Sequence, residues 1–221
     1  AGATPKFVDI DTKTFTIDVN KIEQAIDENT KAILPVHFYG RPCDMDKIME
    51  IAKKYNLKIL EDCAHAHGAK YKGQKVPISK TGAFSFFPGK NLGAFGDAGA
   101  LITNDLEVVK QASLWRNDGS IKKYQHEILG RKARLDTLQA EILSEKLKHL
   151  PEWNKLRREH AELYNNLLKE IEEIQLPLLH NDDYQSVFHI YNILTDKRDE
   201  LQKYLSENGI ATNIHYPIPI H

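Results

Sequence analysis

Residues 32–62, AILPVHFYGRPCDMDKIMEIAKKYNLKILED, hold two short apolar runs that flank one amphipathic segment. The runs at 32–36 and 57–60 have the length and composition of buried strands. Between them, Asp44 is a typical N-cap residue, and apolar side chains recur at helical spacing up to about Tyr55. A strand, a helix and a second strand within about thirty residues predict a crossover that joins parallel strands. We therefore expect an α/β fold.

The composition is that of an ordinary soluble protein. Of 221 residues, 41% are hydrophobic and 28% are charged, which suits one large domain with a hydrophobic core. The formal net charge is −1, from 30 basic and 31 acidic residues, so neither a nucleic acid nor a membrane is an expected partner. The two cysteines, Cys43 and Cys63, are too few for a disulfide framework and favour the cytoplasm.

The remaining elements divide the chain into three parts. We predict part of a large α/β domain at residues 1–120, a helical connector at 121–180, and an incomplete small α+β domain at 181–221. In the last part, strands are expected at 187–194 and 210–214, and a helix at 198–208 ends before Gly209. The chain has no initiator methionine and ends soon after a predicted strand, so we expect the central portion of a longer protein.

A lysine in a glycine-rich turn is the leading candidate for chemistry. Lys90 lies in the sequence FSFFPGKNLG at 84–93, and Ser85 stands five residues before it. Upstream, Asp62 follows an apolar strand, at the carboxyl end where open α/β sheets present ligand-binding groups. Partial burial of Lys90 would lower the pKa of its amine and make the amine nucleophilic at neutral pH.

These three side chains match the needs of pyridoxal phosphate. Lys90 can form a Schiff base with the aldehyde carbon, Asp62 can keep the pyridine nitrogen protonated, and Ser85 can donate to the phosphate. Each residue also has an ordinary explanation, as a surface lysine, a capping aspartate or a strand serine. The combination, and not any single residue, predicts a pyridoxal phosphate site.

A zinc site is the competing interpretation of the same region. If residues 61–67 were extended, Glu61, Cys63, His65 and His67 would project from one face and offer zinc ligands. The sequence contains no second ligand cluster with suitable spacing, so we do not expect a bound metal.

Five motifs, in order along the chain, carry a family resemblance. They are LPVHFYG at 34–40, EDCAHAHGA at 61–69, the segment at 84–100, RLDTLQA at 134–140 and IHYPIP at 214–219. Together they resemble the DegT/DnrJ/EryC1/StrS family of sugar aminotransferases. The resemblance implies the type I aminotransferase fold, in which helices flank a mostly parallel sheet and a small α+β C-terminal domain follows.

The resemblance also implies a cofactor, a reaction and an assembly. Pyridoxal phosphate would attach to Lys90, with Asp62 at its ring nitrogen and Ser85 at its phosphate. Some members of the family carry histidine in place of the lysine and dehydrate their substrate, so Lys90 favours transamination. The expected reaction moves an amino group from glutamate or glutamine to a nucleotide-linked keto sugar, in a homodimer with its active site at the subunit interface.

Several positions depart from the family's usual pattern. His65 replaces a glutamine and could still touch the cofactor ring, while Lys132 replaces an asparagine that reaches the phosphate bound by the partner subunit. Gly89 replaces a threonine that could contact the phosphate. His37 and His215 are expected to line the substrate pocket.

The family's opening segment, with a phosphate-binding turn and a residue that packs on the cofactor ring, is missing from this sequence. Ser85 then supplies one donor to a phosphate that needs several, so we expect residues 1–221 alone to bind the cofactor weakly. The alternative function is therefore a truncated, non-catalytic or regulatory protein on the same fold. The intact set of Asp62, Ser85 and Lys90 favours the enzyme.

Overall fold

The computed structural model describes residues 2–221. Within this range the helices are α1 (Ile22–Ala25), α2 (Met45–Lys54), α3 (Leu106–Arg116), α4 (Thr137–Leu147), α5 (Leu150–Leu168) and α6 (Arg198–Glu207), with a 3₁₀ turn at Phe38–Gly40. The strands are β1 (Ala32–Ile33), β2 (Lys58–Ile59), β3 (Glu61–Asp62), β4 (Lys70–Tyr71), β5 (Gln74–Lys75), β6 (Thr81–Ser85), β7 (Gly99–Thr103), β8 (Ser120–Lys122), β9 (Gln125–His126) and β10 (Tyr184–Gln185).

The central sheet is mostly parallel. β1 pairs in parallel with β2, and β3 pairs in parallel with β6. The strand that contains β1 continues alongside β3, because the Asp62 N–H donates to the Pro35 carbonyl at 2.9 Å and the His37 N–H donates to the Asp62 carbonyl at 3.0 Å. β7 pairs antiparallel with the other side of β6. The α/β sheet predicted from the sequence is confirmed.

The crossover helix α2 packs against this sheet. Asp44 caps its first turn, as predicted, by accepting a hydrogen bond from the Lys47 N–H at 3.5 Å. Met45 and Ile48 are fully buried and pack in one hydrophobic cluster with Ile33 of β1. Burial of each such side chain stabilises the fold by roughly 1.5–3 kcal/mol. Helix α2 therefore fixes the strands whose ends carry the candidate site.

The connector helices hold the turn after β6. Leu143 of α4 and Leu150 of α5 pack with Leu92 and Ala94 in a separate hydrophobic cluster. Through this cluster, the segment that contains Lys90 packs against the connector helices.

The domain boundaries at 120 and 180 stay predictions. None of the helices in residues 2–221 has the length and apolar character needed to cross a bilayer.

The predicted strands at 187–194 and 210–214 are wrong. The second segment is irregular, and in the first only an isolated bridge forms at its end. The N–H groups of Val187 and His189 instead donate to carbonyls of the 3₁₀ turn, at 3.0 and 2.9 Å. These backbone N–H groups therefore find their hydrogen-bond acceptors in the turn and not in a neighbouring strand. The helix predicted next is confirmed as α6, and Gly209 follows it with a φ of +79°.

Candidate active site

Two neighbouring parallel strands bring the carboxylate and the hydroxyl to one cavity. Asp62 ends β3 and Ser85 ends β6, and the register places Asp62 opposite Ala83. Because parallel strands end at the same edge of a sheet, both residues line a single cavity of about 210 Å³. The rest of the lining is mostly apolar and comprises Leu34, Leu60, Glu61, Ala64, Ala83 and Phe84.

Lys90 lies in a tight turn next to these strand ends. Its N–H donates to the Phe87 carbonyl at 2.9 Å. Glycine is required at Gly93, because a Cβ there would lie 2.3 Å from the Pro88 carbonyl oxygen. Burial lowers the pKa of the Lys90 amine, although the negative charge of Asp62 acts in the opposite direction. A lowered pKa increases the neutral, nucleophilic fraction of the amine at pH 7.

Histidine rings surround the Lys90 amine. The His65 ring centroid lies 4.5 Å from that of His189 and 5.6 Å from that of Phe38. Burial, and then the positive charge of Lys90, lower the pKa of His65 to about 4. Burial is also the main cause that lowers the pKa of His67 to about 4 and of His189 to about 3. All these rings are therefore neutral at pH 7.

Two of these ring nitrogens have no hydrogen-bond partner among residues 2–221. They are Nδ1 of His65 and Nδ1 of His67, and both are buried. His67 donates from Nε2 to the Ser85 carbonyl at 2.8 Å, so its Nδ1 carries a lone pair. Ser85 Oγ accepts a hydrogen bond from the Phe87 N–H at 3.3 Å, which leaves the hydroxyl proton for a ligand. Unpaired buried groups of this kind are typical of a site that binds a polar molecule.

The structure places His37 in the core and not along the cavity. Its side chain is fully buried, Nδ1 accepts from the Cys43 N–H at 3.0 Å, and Nε2 donates to Glu61 at 2.8 Å. Glu61 also accepts from the N–H groups of Ile78, at 2.9 Å, and Ser79. Because both ring nitrogens are engaged, His37 supports the strand ends from within the core. The substrate contact predicted for it is not formed in this arrangement.

The four residues considered as zinc ligands do not share a face. The chain leaves β3 and turns, so His65 and His67 separate from Glu61 and Cys63. Within residues 2–221, the potential ligand atoms that lie within 4.8 Å of one another belong to His37, Glu61 and Cys63. The hydrogen bond between His37 and Glu61 accounts for the closeness of those two residues.

The C-terminal segment approaches the histidine cluster, whereas Lys132 lies in another part of the chain. The Tyr39 hydroxyl donates to the His215 carbonyl, and His215 is close enough to affect the pKa of His65. Lys132 forms an ion pair with Asp118, at 3.9 Å, next to the β8–β9 hairpin. Thus His215 joins the candidate site, while Lys132 does not reach it within this chain.

Sequence reasoning missed several polar groups behind the lysine. Asn91, Asn154 and His189 are linked by hydrogen bonds around the Lys90 turn. Only Asn91 is adjacent to a recognised motif position. Asn154 and His189 lie 63 and 98 residues away from it, and no local pattern marks such distant partners.

Comparisons with known proteins agree with this geometry. The chain matches the DegT/DnrJ/EryC1/StrS aminotransferase family over residues 1–221. It is 50% identical over 223 residues to a pleiotropic regulatory protein of Geobacillus stearothermophilus. That alignment covers 100% of this chain and 60% of the Geobacillus protein. It is 44% identical over 221 residues to the dTDP-3-amino-3,4,6-trideoxy-alpha-D-glucose transaminase of Streptomyces venezuelae. This second alignment covers 100% of this chain and 58% of the transaminase.

Among solved structures, S. venezuelae DesV in complex with a ketimine intermediate matches with a TM-score of 0.95 and 44% identity. That match covers 100% of this chain and 59% of the DesV chain. The chain thus spans about 60% of the length of the relatives that it matches. The fold is that of a type I aminotransferase, and the chain belongs to the DegT/DnrJ/EryC1/StrS aminotransferase family, as its motifs predicted.

Proposed function

We propose that this chain provides the cofactor-binding core of a pyridoxal phosphate-dependent aminotransferase that acts on a nucleotide-linked keto sugar. The observation that carries the proposal is that Asp62 and Ser85 line one cavity at the ends of β3 and β6, with Asp62 near enough to the half-buried Lys90 to act on its pKa. A relative that is 44% identical is named as a dTDP-amino-sugar transaminase. Family resemblance further favours glutamate or glutamine as the amino donor.

The residues at the site fit pyridoxal phosphate. Asp62 offers an anion for a protonated ring nitrogen, Ser85 offers a hydroxyl for the phosphate, and Lys90 offers an amine for the aldehyde. The buried Nδ1 atom of His65, which has no partner in residues 2–221, can accept a hydrogen bond from a ring substituent. When bound, the cofactor supplies an electron sink that stabilises the carbanion formed at the amino-acid α-carbon.

The chain's own residues then have distinct tasks. Asp62 holds a proton on the pyridine nitrogen, because its carboxylate stabilises the charged form of the ring. Lys90 Nζ would act first as the base that takes the proton from the α-carbon and then as the acid that returns it to a carbon of the cofactor.

The C-terminal segment is the proposed sugar-binding side of the site. His215 lies near His65, and the Tyr216 ring centroid lies 6.1 Å from that of Phe38. The hydrogen bond from Tyr39 ties this segment to the 3₁₀ turn. An aromatic wall with polar edges suits a hydrophilic sugar ring, which presents both hydroxyl groups and apolar faces.

We further propose a cytoplasmic homodimer. Large apolar side chains are exposed near the Lys90 turn and beyond the β8–β9 hairpin, with Phe95 at 75% and Leu129 at 91% exposure. Exposed apolar groups of this size favour burial against a partner. In such a dimer, the proposed role of the exposed Lys132 is to contact the phosphate bound by the partner subunit. Cys43 and Cys63 are free thiols, in keeping with a reducing compartment.

A regulatory protein on the same fold is the second candidate. It is favoured by one observation, the 50% identity to a protein named as a pleiotropic regulatory protein. The two candidates differ in whether Lys90 binds the cofactor and transfers an amine.

Borohydride trapping tests the proposal directly. We expect added pyridoxal phosphate to produce a visible absorption band, and reduction followed by peptide mapping to place the label on Lys90. Lys90→Arg should abolish the label, whereas Lys80→Arg, at an exposed lysine, should retain it. Amine transfer from glutamate or glutamine is then measured on a panel of dTDP- and UDP-linked keto sugars. Label on a different lysine would refute the site, and a labelled protein that aminates none of the sugars would favour the regulatory candidate.

A further inference from the structure

A buried pair of amides joins the Lys90 turn to helix α5. Asn91 and Asn154 are only 5% and 4% exposed. Asn91 Nδ2 donates to Asn154 Oδ1 at 3.0 Å and to the Val187 carbonyl at 3.0 Å. Asn154 Nδ2 donates to the His67 carbonyl at 2.7 Å. Three distant segments of the chain are therefore tied to one helix directly behind Lys90.

The orientation of both amides follows from their partners. The carbonyls of Val187 and His67 can only accept hydrogen bonds, so each must face an amide nitrogen. Exchanging oxygen and nitrogen in either asparagine would place two oxygens at hydrogen-bond distance. Asn91 Oδ1 must therefore be the atom that lies 3.1 Å from His189 Nδ1. An amide oxygen cannot donate, so His189 Nδ1 carries the proton.

This tautomer leaves the lone pair of His189 on Nε2. The ring packs against His65 in a tilted arrangement, with centroids 4.5 Å apart and an interplanar angle of 36°. Burial, followed by repulsion from His65 whenever that ring is protonated and by the positive charges of Lys90 and Arg157, keeps His189 neutral by lowering its pKa to about 3. Arg157, also on α5, donates to the carbonyls of Phe188 and His189 at 3.1 and 3.4 Å. Helix α5 thus fixes both the ring and the backbone of this residue.

We propose that Asn91 is a positioning residue for Lys90. Its amide anchors the Lys90 turn to α5 and fixes His189 as the tautomer that is protonated on Nδ1, with the ring packed against His65. The consequence for catalysis rests on the proposed function. The anchoring itself is a property of the protein without cofactor, and its tests need no cofactor.

The anchoring predicts a change at Lys90 when the amide is removed. Asn91→Ala deletes the hydrogen bonds to Asn154, Val187 and His189, so the turn moves toward solvent. Since burial is what lowers the pKa of Lys90, this pKa then rises. The charged or titratable side chains that act on Lys90 remain present, and they are Asp62, His65, His67 and His189. A rise of about half a unit lowers the neutral fraction of the amine about threefold.

The first test is the tautomer of His189, measured by NMR on protein labelled with ¹⁵N-histidine and assigned with His189→Phe. We expect the neutral ring to be protonated on Nδ1 in the wild type. Asn91→Ala removes the acceptor for this proton and should lose the preference for this tautomer. A proton on Nε2 in the wild type overturns the proposal without any variant.

The second test is competitive acetylation of Lys90 as a function of pH, read by mass spectrometry on cofactor-free protein. We expect the Lys90 acetylation rate at pH 8 to fall about threefold or more in Asn91→Ala. Met45→Ala, a destabilising change in a separate hydrophobic cluster, is the control and should leave the rate unchanged. The anchoring is refuted if the pH profile of Lys90 acetylation is unchanged in Asn91→Ala, or if it shifts equally in Met45→Ala. Failure of the wild type to bind cofactor would count against the proposed function and would leave both readouts intact.

Discussion

Replacing Asp62 with asparagine removes one charge from the site and preserves its shape. In the wild type the carboxylate accepts a hydrogen bond from the Ala64 N–H at 2.9 Å. An asparagine Oδ1 can accept the same bond, so we expect little change in the free energy of unfolding. If the proposed function is correct, the loss falls on the ring nitrogen of pyridoxal phosphate, which would no longer have an anion to keep it protonated.

The size of the effect follows from the surroundings of Asp62. A hydrogen bond to a charged group contributes roughly 1.5–3 kcal/mol. Asp62 is partly buried, so its charge is screened less by solvent than a charge on the open surface. At about 1.4 kcal/mol for each tenfold change in rate, a loss of about 2.7 kcal/mol lowers turnover about 100-fold.

The assay is the turnover number for amine transfer from glutamate, together with the absorption spectrum of bound pyridoxal phosphate as a function of pH. Asp97→Asn is the matched control, because Asp97 is exposed and lies close to Lys90 in the sequence. It should retain wild-type turnover. If Asp62→Asn stays within about threefold of the wild type, the carboxylate does not act on the ring nitrogen and the site has been misassigned.

Two further predictions concern the stability of the site. Gly93→Ala should lower the free energy of unfolding by about 1–3 kcal/mol in a denaturant titration, because the new Cβ would lie 2.3 Å from the Pro88 carbonyl oxygen. Gly89→Ala, whose Cβ would have no contact closer than 4.0 Å, should be nearly neutral, and equal losses would contradict the packing argument. The second prediction is that stability falls as the pH decreases from about 6.5 toward 4. Unfolded histidines bind a proton below about pH 6.5, whereas folded His65 and His67 have a pKa of about 4, so the unfolded state takes up more protons. His65→Gln should reduce the slope of the free energy of unfolding against pH in this range. An unchanged slope would show that His65 is not buried in its neutral form.

The elements that could be predicted from the sequence are those with strong local signals. The apolar runs around α2 and the capping Asp44 define the crossover, and that crossover places Asp62 at a parallel strand end. The neighbouring position of Ser85 then follows from pairing between β3 and β6. These features depend on periodicity and capping, which are visible within a few turns of the chain.

The remaining features depend on contacts between distant parts of the chain. A histidine such as His37 has the same local pattern whether it faces a cavity or pairs with a buried Glu61. The apolar run at 187–194 resembles a strand, but a turn more than a hundred residues upstream satisfies its backbone. The site roles of His215 and Lys132 stay predictions, since they depend on a bound substrate and a second subunit.

Backbone hydrogen bonds attach Val187 and His189 to the turn at Phe38–Gly40. We therefore expect the C-terminal part of the chain to unfold in the same cooperative unit as the central sheet. The contact leaves no spare room, because a Cβ at Gly40 would lie 2.9 Å from the Val187 side chain. Local opening of this junction would expose the carbonyls of Tyr39 and Gly40 together with the buried Val187 side chain. A protein cut at residue 180 would lose these contacts and the pairing of β10 with β4, so we expect its sheet to open more readily than that of the full chain.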